Sequence, residues 1–177
     1  DWSSDVCSSD LLPHGQVQTT LCKQLALYVT LYSPLQMAAD LVDNYEKHMD
    51  AFQFIKDVAV DWDESKYIEA EPGDYITIAR KAKNSGNWFV GGITDENART
   101  AEFKLDFLDA GKKYVAILYA DGKDADYKDN PTSYQIKKGI VTSKTKISVK
   151  EARSGGFAIS LMEATGDDLK SVKKWRN

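Results

Sequence analysis

From Lys66 to Glu163 apolar residues recur at every second position, with Gly, Pro, Asn and Asp clustered between the runs. Phe103, Leu105 and Phe107 alternate with Glu102, Lys104 and Asp106. Successive side chains of a strand point to opposite faces, so such a segment has one apolar face and one solvated face. The same reading predicts strands over 67–71, 75–81, 87–94, 113–120, 133–137, 140–142, around Ile147 and Val149, and 157–163. Turn signals separate them: Pro72-Gly73-Asp74, Lys83-Asn84-Ser85-Gly86, Asp109-Ala110-Gly111 and Ser154-Gly155-Gly156. Residues 95–99 and 121–130 read as loops. Eight or nine short strands at about ten-residue spacing predict a mainly β fold, an antiparallel β-sandwich or barrel of about eight strands. The stretch 113–120 is the more apolar and is expected at the centre of a sheet.

Helical spacing precedes the strands. Leu21, Leu25, Tyr28, Val29 and Tyr32 follow a helical stripe, yet Cys22, Ala26, Leu27 and Leu31 fill the other faces. A helix apolar nearly all round is buried on more than one side. Thr19 or Thr20 can cap it, and Ser33-Pro34 ends it. Pro34 can open a second short helix through Leu41 with Ser33 as its cap. Glu46 to Asp57 reads as a third, with Met49, Phe52 and Ile55 on one face. Asp61-Trp62-Asp63-Glu64 reads as an acidic turn before the strands, and residues 165–177 as a polar, basic tail or short helix.

Composition narrows the function classes. The 177 residues carry a net charge of −4, so no nucleic-acid footprint is expected. The two cysteines, Cys7 and Cys22, are too few for a disulfide framework and lack zinc spacing. No apolar run reaches the ~20 residues of a membrane span, and no signal peptide is visible. The first residues, DWSSDVCSSDL, read as a disordered tail or, more sharply, resemble the translation of a sequencing-library adapter; on the second reading residues 1–12 are expected to be a non-native tail and genuine sequence to begin near Leu12 or Pro13.

Candidate chemistry is sparse. Glycoside hydrolysis needs two carboxyl groups across a sugar, and Asp61, Asp63 and Glu64 beside Trp62 form the obvious cluster. Adjacent residues in one turn rarely converge on a substrate, so an acidic boundary turn is the expectation. Asp121, Asp124, Asp126 and Asp129 crowd one loop; their spacing departs from that of an EF-hand, and a solvated loop is expected. His14 and His48 have no partner at metal-ligand spacing. Tyr67, Tyr75, Trp88, Phe89, Tyr114, Tyr119, Tyr127 and Tyr134 make the strands aromatic. Strand aromatics are expected in the core, whereas exposed ones would mark a sugar-binding platform. Asn130-Pro131-Thr132 is no glycosylation acceptor, because Pro occupies the middle position.

TTLCKQLALYVTLYSPLQMAADL, NYEKHMDAFQFIKDV, EAEPGDYITIARKAKNSGNWFVGGITDENART, LDFLDAGKKYVAILYADGKDADY and YQIKKGIVT together resemble glycoside hydrolase family 97, from about Val17 to about Met162. Val42 and Met49 stand where that family more often has proline. The resemblance implies terminal helices of a truncated (β/α)8 catalytic barrel over 13–60, a C-terminal β-sandwich oligomerisation domain over 61–164, and a polar tail over 165–177. It implies a parent enzyme cleaving α-glucosidic or α-galactosidic bonds, retaining or inverting, calcium-dependent and periplasmic in a bacterium. The catalytic carboxylates and calcium ligands of the family lie upstream, so no catalytic, cofactor-binding or metal residue carries over. This chain alone is then expected to be a non-catalytic packing domain, its partners the upstream barrel and a second copy. The alternative is a carbohydrate-binding β-sandwich module for α-glucans.

Overall fold

The computed structural model describes residues 17–38 and 42–176. Eight strands follow the helices: β1 (Trp62–Glu71), β2 (Tyr75–Ala82), β3 (Trp88–Thr94), β4 (Arg99–Lys104), β5 (Tyr114–Asp121), β6 (Tyr134–Val141), β7 (Lys146–Glu151) and β8 (Gly156–Glu163). The first sheet has six strands in the order β1-β2-β3-β8-β5-β6, and the second pairs β4 with β7. All pairings are antiparallel. Antiparallel neighbours joined by short turns are what the turn-separated alternation requires.

Two cores lie on the two faces of the large sheet. On one, Val90, Leu118, Phe157, Ile159 and Leu161 pack against Ala101, Phe103, Ile147 and Val149 of the small sheet. On the other, Ile78, Phe89, Tyr119 and Ala158 pack against Leu25, Val29, Ala51 and Phe54 of the helices. Period two produces this directly: Trp88 and Val90 of β3 face the small sheet, while Phe89 between them faces the helices. The expected central stretch is β5, flanked by β6 and β8.

Helix α1 (Leu21–Thr30) is the inner element of the helical layer. Thr20 is its cap, its hydroxyl accepting from the Lys23 amide at 3.2 Å. Cys22, Leu25, Ala26 and Val29 are buried. At Gly91 of β3 the helix backbone comes so near that a Cβ would lie 2.7 Å from the Ala26 carbonyl oxygen. At the other end of α1, Arg80 of β2 donates from Nε to the Val29 carbonyl at 2.6 Å and from a terminal nitrogen to Ser65 at 2.7 Å. A guanidinium on a carbonyl at the helix C-terminus satisfies an acceptor that the helix leaves open.

Several boundaries differ from the sequence reading. Helix α1 stops at Thr30, because Leu31 is already extended and the pre-proline residue Ser33 is held from helix. The helix expected from Pro34 is absent over 34–38; Ser33 instead folds onto the Leu35 amide, and 39–41 lie outside the described residues. The helix expected over 46–57 divides into α2 (Val42–Glu46) and α3 (Met49–Asp57) at the Lys47–His48 turn. Trp62, Asp63 and Glu64 begin β1 rather than forming a turn. Residues 133–137 and 140–142 merge into β6. Leu105 and Phe107 leave the β4 ladder for a turn, with Leu105 still fully buried. Residues 165–177 contain the short α4 (Asp168–Ser171), and beyond it Trp175 is buried over Gly139 while Lys174 bridges Ile140. The adapter-like string, Cys7 and His14 lie outside the described residues.

Replacing Gly91 with Ala should push α1 off the sheet and lower stability by about 1–3 kcal/mol, the usual cost of overpacking. Urea unfolding followed by tryptophan fluorescence measures this, and an unchanged midpoint would refute the close approach.

Candidate functional site

The carboxylates singled out at the start of β1 do not converge. Asp61 bonds Lys83 Nζ at 2.6 Å, Asp63 accepts from the Asn84 amide at 2.9 Å, and Glu64 pairs with Lys66 at 2.6 Å. Trp62 packs edge-on against Phe89, with ring centroids 5.8 Å apart, inside the helical-layer core. Each acid is engaged by its own cation or amide, and the indole is part of the packing.

The aspartates of the loop after β5 also separate. Asp124 takes hydrogen bonds from Asn130 and Ser133, and Asp126 from the Lys128 amide, with Arg153 at 3.6 Å. Asp129 is exposed. Asp121 is buried, and its Oδ2 accepts from the amides of Ala152 and Gly156 at 2.8 and 2.9 Å. Among the described residues no three His, Cys, Asp or Glu side chains gather closely enough to hold a metal ion.

The aromatics divide by burial. Trp88, Phe89, Tyr114 and Tyr119 are core residues, with Trp88 2% exposed, so none of these four can present a sugar platform. Tyr75 lies under Arg99, whose guanidinium carbon is 3.7 Å from the ring centroid. Tyr127 lies beside Lys128 and Arg153. Tyr67, 71% exposed, lies on the edge strand β1. Tyr134 donates to Asp50 Oδ1 at 2.6 Å and lies 3.3 Å from His48 Nδ1. Burial and the Asp50 carboxylate push the Tyr134 phenol up to about 12. This trio pins α3 to β6 across more than eighty positions of sequence. No sequence spacing could have shown it.

Sequence reasoning also missed a buried ionic cluster at one end of the sandwich. Glu151 is 2% exposed; Arg99 lies 3.2 Å from its Oε2 and 3.0 Å from Glu69 Oε1, while Thr77 donates to the same Glu69 oxygen. Burial, with Glu69 and Asp121 nearby, raises the Glu151 carboxyl to about 8 against the pull of Arg99. Burial likewise raises Asp121, opposed by the Thr20 hydroxyl, the two amides and Lys23. The turn that Asp121 closes receives α1: Thr20 N bonds the Ser154 carbonyl at 3.1 Å, and Lys23 Nζ bonds the Thr94 carbonyl at 2.6 Å. The signal was present, since Glu151 continues the inward phase of Ile147 and Val149. Glu151 and Asp121 are shut from solvent, Arg99 and Glu69 are half-buried, and the junction joins α1 to the sandwich. Burial also pushes the Cys22 thiol upward, which leaves it unreactive.

One surface open to a ligand or partner is the helical face. Leu31, Tyr32, Leu35, Met37, Val42 and Met49 are exposed there, Leu35 at 74% and Met37 at 69%. Of these, Leu31 and Met37 line a groove of about 440 Å³ whose walls also include Leu21, Tyr28, His48, Phe52 and Ile55. Such a surface is suited to covering by another apolar surface. The groove lining carries one histidine, His48, and no carboxylate. No helix among the described residues is long and apolar enough to cross a membrane.

Glu151→Gln should flatten the pH dependence of stability. A carboxyl raised from its usual value to about 8 on folding contributes stability that is full below the unfolded pKa near 4.5 and is lost as pH rises through 8. Wild-type melting temperature should therefore fall between about pH 5 and 8.5 more steeply than that of the variant, as scanning calorimetry would record; parallel profiles would refute the assignment.

Comparison with known proteins agrees with the fold. The family model described as glycosyl-hydrolase 97 C-terminal, oligomerisation, matches residues 61–162. A retaining alpha-galactosidase of Bacteroides thetaiotaomicron is 40% identical over 160 residues, 88% of this chain and 22% of that protein. A probable retaining alpha-galactosidase of Streptomyces bingchenggensis is 28% identical over 135 residues, 76% of this chain and 19% of that protein. A glycoside hydrolase family 97 enzyme of Pseudoalteromonas sp. strain K8, solved in complex with acarbose, superposes with a TM-score of 0.83 at 49% identity, covering 85% of this chain and 24% of that one. The chain thus spans about a fifth to a quarter of the length of these relatives. With its six-plus-two antiparallel sandwich and the model match across the strands, the chain belongs to the glycosyl-hydrolase 97 C-terminal, oligomerisation family.

Proposed function

We propose that this chain is the non-catalytic end of a glycosidase acting on α-galactosidic or α-glucosidic bonds, and that its helical face seats the catalytic portion. The observation that carries this reading is the exposed apolar face of Leu31, Tyr32, Leu35, Met37, Val42 and Met49. A helical layer so firmly bound to its sheet on one side and so apolar on the other is an inner layer of a larger body. The match to a fifth or a quarter of longer hydrolases supports it, because most of each relative has no counterpart here. The catalytic carboxylates, any calcium and the choice of stereochemistry belong on this reading to the upstream portion, a (β/α)8 barrel in a periplasmic bacterial enzyme. The sandwich itself would act as a packing and self-associating unit. A sugar platform built from the strand aromatics draws no support from Trp88, Phe89, Tyr114 and Tyr119, which are spent on the core.

Purified chain should hydrolyse neither aryl α-galactosides nor aryl α-glucosides, and turnover by contaminant-free protein would overturn the reading. A chimaera in which residues 17–176 replace the matched stretch of the Bacteroides relative should be active. Leu35→Asp with Met37→Asp should lower its melting temperature by several degrees and leave that of the isolated chain within about a degree. Equal effects on both would deny the face its proposed role.

A further inference from the structure

The layers of the sandwich are unequal. Six strands face two, so the small sheet cannot cover the large one, and two strand edges stay open beside the gap. β1 pairs with β2 alone and β4 with β7 alone. Residues 66–68 of β1 and residues 102–104 of β4 border a cleft of about 750 Å³, lined also by residues 146–148 of β7. Ile68, Phe103, Phe107 and Ile147 supply its apolar lining. Charged side chains of both signs surround them: Lys66, Lys104 and Lys146 against Glu102 and Asp106. Apolar centre and polar rim are the anatomy of a protein interface.

One pairing is left uncompensated. Lys104 and Lys146 stand directly opposite each other in the β4–β7 register, and neither forms an ion pair among the described residues. Like charges at opposed positions destabilise a strand pair. A carboxylate arriving from outside would relieve them. Glu102, two residues before Lys104, and Asp106, two residues after it, line the same cleft, are exposed and carry the opposite sign. An interface between two copies related by a two-fold axis must be its own complement: if a lysine of one copy meets a carboxylate of the other, the reverse holds too. A cleft with both signs around one apolar floor meets that requirement, whereas a cleft of one sign would repel its own copy.

We infer that the cleft between the free edges of β1 and β4 is the surface through which this domain associates with a second copy of itself, with Lys104 and Lys146 of each copy meeting Glu102 and Asp106 of the other. The inference rests on the self-associating role proposed above and gives that role a place. Two other surfaces have partners of their own. The open side of β6, the far edge of the large sheet, is closed at Ile140 by the C-terminal segment, whose Lys173 carbonyl and Trp175 amide bond Ile140 at 2.9 and 3.0 Å. The helical face has the catalytic portion as its partner on the present reading. The open edge of β1 is ten residues long, carries charged residues and is broken by register shifts at Trp62/Glu64 and Tyr67/Glu69. Such features prevent unlimited strand addition and favour a closed pair.

Sedimentation velocity on the full 177-residue chain, over about 1 to 100 µM, tests this. The wild type should form a dimer that weakens as salt rises. Lys104→Glu with Lys146→Glu, and separately Glu102→Lys with Asp106→Lys, should each weaken self-association at least about tenfold. Mixing the two variants should restore a dimer, because each supplies the charges the other lacks. All four positions are exposed, so far-ultraviolet circular dichroism melts should match the wild type. A wild type that stays monomeric throughout would overturn the self-associating role along with the inference. A wild-type dimer indifferent to both pairs of substitutions would leave the role and overturn the location. A dimer abolished by Leu35→Asp with Met37→Asp would move the interface to the helical face and overturn the inference as well.

Discussion

Burial of the six-stranded sheet on both faces is the constraint on which the rest of the molecule depends. Strands β3, β5 and β8 run almost continuously buried, since each carries side chains into two different cores. A sheet with one wet face would read as clean alternation, whereas these strands are apolar in both phases. The small sheet covers one face. The other requires α1, and Gly91 lets that helix lie against the sheet at backbone distance. Without the helix, Ile78, Phe89, Tyr119 and Ala158 would face water.

The helix is held by polar links at both ends as well as by its apolar stripe. At the start, Thr20, Lys23 and the Asp121-closed turn form one hydrogen-bonded junction. At the end, Arg80 carries the Val29 carbonyl. Buried ionic groups are costly unless each finds partners, and Arg99 between Glu69 and Glu151 shows the arrangement. Glu151 Oε1 has no hydrogen-bond partner among the described residues, consistent with a carboxyl that holds its proton well above the usual range. The titratable groups of this protein are therefore part of its framework, and the family membership fits a domain without chemistry of its own.

The same constraint separates the surfaces. The side of the helical layer turned away from the sheet is apolar, which suits the fixed contact of a domain with the rest of its chain. The uncovered margin of the sandwich is mixed in charge around a small apolar floor, which suits contact between separately folded copies.

The strands were legible from the alternation of residues such as Phe103 and Glu102, because side-chain direction along a strand is a local property. The turns at Gly73 and Gly111 were legible too, since both glycines adopt positive φ that other residues avoid. The excess of apolar residues on Leu21 to Leu31 predicted a helix buried on more than one side; in this chain one stripe, Cys22, Leu25, Ala26 and Val29, is buried, and Leu21, Leu27 and Tyr28 are half-buried. The sequence by itself therefore determined a mainly β sandwich preceded by an apolar helix. Only the tertiary structure decided that β4 leaves the large sheet to pair with β7, that Trp62 to Glu64 extend an edge strand, and that Trp175 packs over Gly139. It alone brought Arg99 between Glu69 and Glu151, and Tyr134 onto Asp50. The reason is range: alternation, caps and turns are set by neighbours along the chain, whereas strand order and buried ion pairs are set by residues that meet only when distant segments share one core.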